Sequence, residues 1–191
     1  MLTRDSLLSL ETYARQRNEF RARVIEHKKR RNVHLGEHVL LQFEDELTIR
    51  YQVQEMLRIE RIFEDAGIQG ELDAYNPLIP DGSNWKATML IEYPDEAERR
   101  RMLGLLRGID KRVWAQVAAS ERVYAIADED LERENDEKTS SVHFLRFELA
   151  APMREALARG AGLSMGIDNP QYRVGVEVSA DIRASLAADL A

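Results

Sequence analysis

Apolar positions recur at helical spacing over the first third of the chain and alternate at strand spacing over most of the rest. Leu7, Leu8, Leu10 and Tyr13 predict a first helix, with Thr3 or Asp5 as its cap. Phe20, Val24 and Ile25 predict a second, capped by Asn18. Its basic end, Lys28-Lys29-Arg30-Arg31, falls where the helix dipole favours cations. Asn32–Leu35 and His38–Phe43 flank Gly36 and read as a hairpin. Asp45–Ala66 reads as one long helix, with negative charge at its start and Gly67 as its stop. The turn formers Asn76-Pro77 and Pro80-Asp81-Gly82 mark the loop that follows.

Beyond that loop, Ala87, Met89, Ile91 and Tyr93 alternate with Lys86, Thr88 and Glu92, with Leu90 as an exception, which predicts a strand ended by Pro94. Asp95 opens a short helix to Arg107, with Ala97, Met102, Leu105 and Leu106 inward. Val113–Ala118 and Val123–Ala127 form strands around Ala119-Ser120, and Val142–Leu149 forms another. Pro152 suits the first turn of a helix ending near Arg159. Leu163–Ile167 and Tyr172–Val178 pair about Asp168-Asn169-Pro170, and Ser179 caps a last helix. Helices lead and hairpin-like strands follow. The expected class is α+β: N-terminal helices and one long helix packed on a mostly antiparallel sheet. No linker divides the chain, so one domain over 1–191 is expected, helical over 1–75 and strand-rich over 83–191.

The 191 residues contain 44% hydrophobic and 32% charged positions, enough for a core beneath a heavily solvated surface. There is no cysteine, so disulfides, thiolate nucleophiles and thiolate-held clusters are excluded. The opening residues lack a basic segment followed by an apolar stretch and a cleavage site. No window reaches the ~18 continuous apolar residues of a membrane span. A cytoplasmic protein without a membrane association is expected. The net charge of −7 is uneven. Arg15–Arg31 is basic and Asp128–Glu137 is acidic, a helix or surface loop able to attract the basic block within a chain or across a dimer.

Glu60 is the sharpest candidate for chemistry. At roughly 100° per residue it falls with Ile49, Val53, Met56 and Phe63 inside about 80° of one helix face. A carboxylate buried there must be paired, protonated or bound to something. Glu55 and Arg58 point away from that face, toward solvent or a subunit contact. The expected ligand pocket joins the long helix, the Asn76–Asn84 loop and the His143 strand. Glu60 is its anchor, and Asn76, Asp81, Asn84 and His143 are its polar lining.

His34-Leu35-Gly36-Glu37-His38 matches the letters of a zinc-peptidase motif, but the motif needs a helix and these flanks favour a turn. In a three-residue hairpin loop His34 and His38 would face each other. The pair could then hold a metal with Glu60, completed by Asp81 or His143. His143, alternating with Leu145 and Phe147, faces the core. The basic run 15–31 could bind a polyanion, but only Phe20 interleaves it and the chain is acidic, so nucleic acid is not the expected partner.

The strings LTRDSLLSLETYARQR, YQVQEMLRIERIFE, ELDAYNPLIPDGSNWKATMLIEYPD and VYAIADEDLERENDEKTSSVHFLRFEL resemble a bacterial family known as the domain of unknown function DUF3501. The resemblance spans nearly the whole chain and is least characteristic from about Ala151. It carries no established reaction, cofactor or site. It implies a setting beside rubrerythrin-like and iron–sulfur oxidoreductase proteins. The leading expectation is therefore a non-catalytic accessory or binding protein, homo-oligomeric, with a redox or iron-handling protein as partner. The alternatives are a metal-dependent enzyme and a polyanion-binding protein acting through the basic helix.

Overall fold

Side chains on alternate sides of a strand commit its two faces to different partners, and that parity organises this molecule. Residues 1–127 and 138–190 are described by the computed structural model; the acidic run 128–137 lies outside them. The chain is α+β, and its strands divide between two antiparallel sheets. The first sheet takes β1 (Asn32–Leu35), β2 (Val39–Phe43), β3 (Asn84–Ile91), β7 (Val142–Glu148) and β6 (Ile126–Ala127), in that order. The second takes β5 (Val123–Tyr124), β4 (Val113–Val117), β8 (Leu163–Asn169) and β9 (Tyr172–Glu177). The single strand expected over Val123–Ala127 is split. Val123 pairs with Ala115 in the second sheet, and Ala127 pairs with Leu145 in the first.

The inner faces of both sheets share one core. Leu41, Phe43, Trp85, Met89 and Phe147 meet Val113, Ala115, Leu163, Met165 and Ile167 there. Leu106 follows α4 (Glu96–Leu105) into this core, and Leu186 enters from α6 (Ala180–Ala187). α5 (Ala151–Ala158) contributes Leu157. In α4 Leu103 turns inward, whereas Leu105 and Ala97, expected inside, are exposed.

Tyr172 pins the sheets together. Its hydroxyl donates to the Leu35 carbonyl at 2.6 Å and accepts from the His38 amide at 3.1 Å. Gly36 lies beneath it with a φ of 72°. A Cβ there would fall 2.5 Å from the Tyr172 oxygen, so the tight hairpin and the pin require glycine together.

The helices build a second core on the outer side of the first sheet. The two leading helices expected from the sequence are one, α1 (Leu10–Lys28), capped by the Ser9 side chain. The long helix is shorter than expected. α2 (Glu46–Glu60) stops at Arg61, whose φ of 55° is left-handed, and α3 (Asp65–Tyr75) follows with Gly67 inside it. Asp45 and Thr48 close a reciprocal capping box at the start of α2. Ile49, Val53 and Leu57 pack with Ile68 and Leu72. No helix among the described residues is long and apolar enough to cross a membrane.

Glu55 faces α1, contrary to its expected solvent or subunit-facing role. Its carboxylate accepts from Arg17 Nε at 2.7 Å and from the Tyr13 hydroxyl at 2.7 Å, and Arg58 lies 3.4 Å away. The Arg17 hydrogen bond leads in holding Glu55 near pKa 2, below the ordinary 4.5, against the opposing effect of burial. Desolvation, then the Glu55 hydrogen bond, raises Tyr13. A depressed carboxylate pKa stabilises the fold above its unfolded value and loses that contribution as pH falls through the folded one. Thermal unfolding from pH 5 to pH 2 should therefore show stability falling between about 4.5 and about 2. Glu55→Gln should lower Tm at pH 7 and flatten that acid limb; an unchanged limb would locate it elsewhere.

Candidate functional site

The helical layer reaches the first sheet through α2, which presents Ile49 and Gln52, through Tyr75 at the end of α3, and through Leu78 just beyond it. Beneath them lies the outer face of the sheet. Parity places Gln42 on β2, Thr88 and Leu90 on β3, and Val142 and Phe144 on β7 along that face. The two surfaces enclose a cavity of about 260 Å³, with Lys28 from the end of α1 also in its lining.

Glu44 supplies the charge. It follows β2, its amide donates to the Lys86 carbonyl at 2.8 Å, and its side chain is buried. The carboxylate accepts from Thr48 Oγ1 at 2.6 Å, Thr88 Oγ1 at 2.7 Å and Gln42 Nε2 at 3.1 Å. All three donors are neutral. Among the described residues no cation lies within ion-pairing distance of the Glu44 carboxylate, Arg31 reaching only its backbone carbonyl, and Lys28 has no ion pair. A buried carboxylate is costly unless its charge is met. Three hydrogen bonds offset part of that cost, and a carboxylate has room for about four. The remaining capacity and an apolar wall sit in one cavity, a combination that suits a small ligand with a donor head.

The expected pocket elements do converge here: the long helix, the start of the Asn76–Asn84 loop and the strand carrying His143. The expected lining residues do not. Glu60 is exposed in the last turn of α2. Its phase matches Val53, but the helix runs past the surface that would bury it, and Ile59 and Phe63 are exposed beside it. Asn76 is engaged with the N-terminal segment, its side chain exchanging hydrogen bonds of 2.8 and 2.9 Å with the backbone of Leu2. Asp81 closes the turn on Ser83 and Asn84. Asn84 is buried and also donates to Glu148 at 3.1 Å.

His143 faces the inner core as expected, beside Thr139 Oγ1 at 3.0 Å and the Ser140 carbonyl at 3.0 Å. It pairs with Met89 in the strand register, whereas Asn84 pairs with Glu148, so the two occupy opposite faces and different ends of β3.

The expected metal set is not assembled either. His34 lies opposite Leu40, and Leu35 opposite Val39, so the loop is shifted by one residue from the register that would oppose His34 to His38. His38 instead stacks on Tyr93 at 4.0 Å, and its Nδ1 lies 2.9 Å from the Glu92 carbonyl. Among the described residues no group of three or more His, Cys, Asp or Glu side chains is arranged to hold a metal.

The basic run 15–31 is partly committed inside the fold. Arg17 binds Glu55, Arg15 and Lys29 pair with Glu11 and Glu26, and Arg31 is buried against Asp189.

Glu44, Thr48, Gln42 and Thr88 went unnoticed in the sequence. The available signal was a polar pair, Gln42 and Thr88, sharing strand faces with Leu40 and Leu90, opposite an amphipathic helix that needed a surface to cover. Glu44→Leu should cost about 1–3 kcal/mol by leaving buried donors without an acceptor. Glu44→Gln, which keeps an acceptor oxygen, should cost less. Urea unfolding midpoints measure both, and equal losses would show that burial rather than hydrogen bonding holds the group.

A family model described as a protein of unknown function (DUF3501) matches residues 1–190. A crystal structure of a novel protein of unknown function from Burkholderia pseudomallei K96243, at 1.90 Å resolution, superposes with a TM-score of 0.95 at 59% sequence identity. The match covers 100% of this chain and 99% of that one. No curated protein matches the chain.

Proposed function

We propose, from the premise that the chain belongs to the DUF3501 family of proteins of unknown function, that it is a binding protein for a small amphipathic molecule. The site is the cavity between α2 and the outer face of the first sheet. One observation carries the reading: Glu44 is a buried carboxylate held by three neutral donors, and it lines a cavity without a cationic partner among the described residues. A ligand ammonium would complete it, because a charge-assisted hydrogen bond in a desolvated site is stronger than its neutral counterpart. Ile49, Leu78, Leu90, Val142 and Phe144 supply an apolar wall for the ligand's body. Lys28, half-buried and without an ion pair among the described residues, would receive an anionic end.

Those three requirements describe a zwitterion with an apolar substituent, the chemistry of an apolar amino acid. The Thr48 and Thr88 hydroxyls are committed as donors to Glu44, and the proposed role is capture rather than turnover. A redox- or iron-linked setting, an oligomer and a protein partner belong to the same proposal. They rest on the family resemblance and on no residue of the cavity.

Isothermal titration with leucine, phenylalanine, their decarboxylated amines and their deaminated acids tests the reading. The zwitterions should bind saturably, the amines should bind more weakly, and the acids least. Glu44→Gln should weaken the zwitterions by about tenfold or more, the scale of one lost charge-assisted contact. Lys28→Gln should affect zwitterions and leave amines unchanged. Saturable binding unaffected by Glu44→Gln, or no binding by any compound in the series, overturns it.

A further inference from the structure

A second constellation lies on the opposite side of α2, where it meets α1. Gln16, Glu19, Phe20 and Arg23 occupy positions i, i+3, i+4 and i+7 of α1 and therefore share one face. Arg50 and Gln54 stand one turn apart on α2. Together with Ser6 and Leu8 they line a cavity of about 260 Å³.

Phe20 organises the charges. The Arg23 guanidinium lies 4.8 Å from its ring centroid and the Arg50 guanidinium 5.3 Å away. Tyr51 stacks on the same ring at 6.0 Å, and Tyr13 meets its edge at 5.9 Å. Two like charges are thus held against one aromatic side chain.

Neither arginine forms an ion pair or hydrogen bond among the described residues, and the buried Nε of Arg50 has no acceptor. This differs from the neighbouring Arg17, which makes two hydrogen bonds to the Glu55 carboxylate on α2. Gln54 is uncharged, and its amide is engaged by the backbone of Leu8 at 2.6 and 3.3 Å. Glu19 lines the rim without reaching either guanidinium within ion-pairing distance. A cation–π contact brings no negative charge and so leaves both guanidiniums un-neutralised. The missing component is an anion with several acceptor oxygens, able to take donors from two forks at once.

We infer that the Arg23–Phe20–Arg50 cavity between α1 and α2 binds a phosphate group, either free or at the end of a small ester. Two guanidiniums match the charge of a phosphate dianion better than that of a monoanionic carboxylate, and Gln16 and Ser6 stand in the lining as neutral donors. The site shares no lining residue with the Glu44 cavity, so the two readings stand or fall separately.

Titration at constant ionic strength with inorganic phosphate, phenyl phosphate and acetate tests it, each followed by calorimetry and by backbone amide shifts of α1 and α2. Phosphate or its ester should bind saturably, with acetate at least tenfold weaker. Stronger binding of phenyl phosphate assigns the ester, and stronger binding of inorganic phosphate assigns the free ion. Arg50→Gln and Arg23→Gln should each weaken binding about tenfold. Glu19→Gln should strengthen it by removing a like charge, and Arg21→Gln, on another face of α1, should leave it unchanged. Arg23 is exposed, so its variant reads binding even if Arg50→Gln fails to fold. Acetate binding as tightly as phosphate, or binding indifferent to Arg23→Gln, overturns the inference.

Discussion

Arg31 is the group on which the arrangement of layers depends. It is 1% exposed, an extreme position for a residue whose charge cannot be given up. Its Nε donates to the Phe43 carbonyl at 3.0 Å, and one terminal nitrogen donates to the Glu44 carbonyl at 3.1 Å. The same nitrogen meets Asp189 at 2.5 Å, and the other reaches the Ser185 carbonyl at 3.4 Å. One side chain therefore ties the end of α1, the end of β2 and the C-terminal helix α6 into a single geometry. Buried ion pairs contribute little net stability against apolar replacements, but removing one partner costs about 3–5 kcal/mol. The network acts as a specifier: it fixes where β2 ends and so where Glu44 begins. His27 and Asp45 extend it at 2.5 Å. Burial raises Asp45, while Arg31, the Thr48 amide and His27 pull it down and prevail. Asp189 shares the same guanidinium, yet burial prevails there and the group is raised.

Most of the fold was legible because local signals agreed. The alternation of Ala87, Met89 and Ile91, the Gly36 hairpin, the Asp45 cap and the Pro152 helix start each carry a local mechanism that tertiary packing did not override. Two boundaries failed for identifiable reasons. Asn18 resembles a cap but lies inside α1, because Tyr13, Phe20 and Val24 form one continuous buried stripe that Leu47 and Tyr51 cover. Arg61 ends α2 in a left-handed conformation that glycine normally supplies, so periodicity continued through a stop with no compositional mark. The division of strands between two sheets, and the crossover at Ala125, are non-local and leave no trace in alternation.

The site was legible in its elements and not in its residues. Helical phase set Glu60 on the arc of Val53, but phase gives an angle and not a depth, and Glu60 is exposed. Whether the last turn is covered depends on the length of the neighbouring layer, which no window of sequence reports. Glu44 was missed for the converse reason. Alternation places it on the polar side of its strand, and that side is ordinarily solvent in an antiparallel sheet. Here α2 covers it, so an outward residue became a buried one. The histidines were misjudged for another reason: the turn is centred one residue later than expected, so His34 opposes Leu40 and His38 falls in the turn, against Tyr93.

Both cavities depend on the rotation of one helix. Ile49 and Gln52 of α2 face the sheet, whereas Arg50 and Gln54 face α1 and the N-terminal segment. Because neighbouring residues are separated by about 100° around a helix axis, a single angle sets what each cavity receives. Three contacts fix that angle from different directions. The Asp45–Thr48 box holds the start of α2, the Arg17–Glu55 pair holds its later turns against α1, and the Gln54–Leu8 exchange ties it to the incoming chain. None of the three uses Glu44, Arg23 or Arg50. The groups that orient α2 are distinct from the charged groups that lack an ion pair among the described residues, so in both proposed sites a ligand would meet those charges without loosening the helix that presents them.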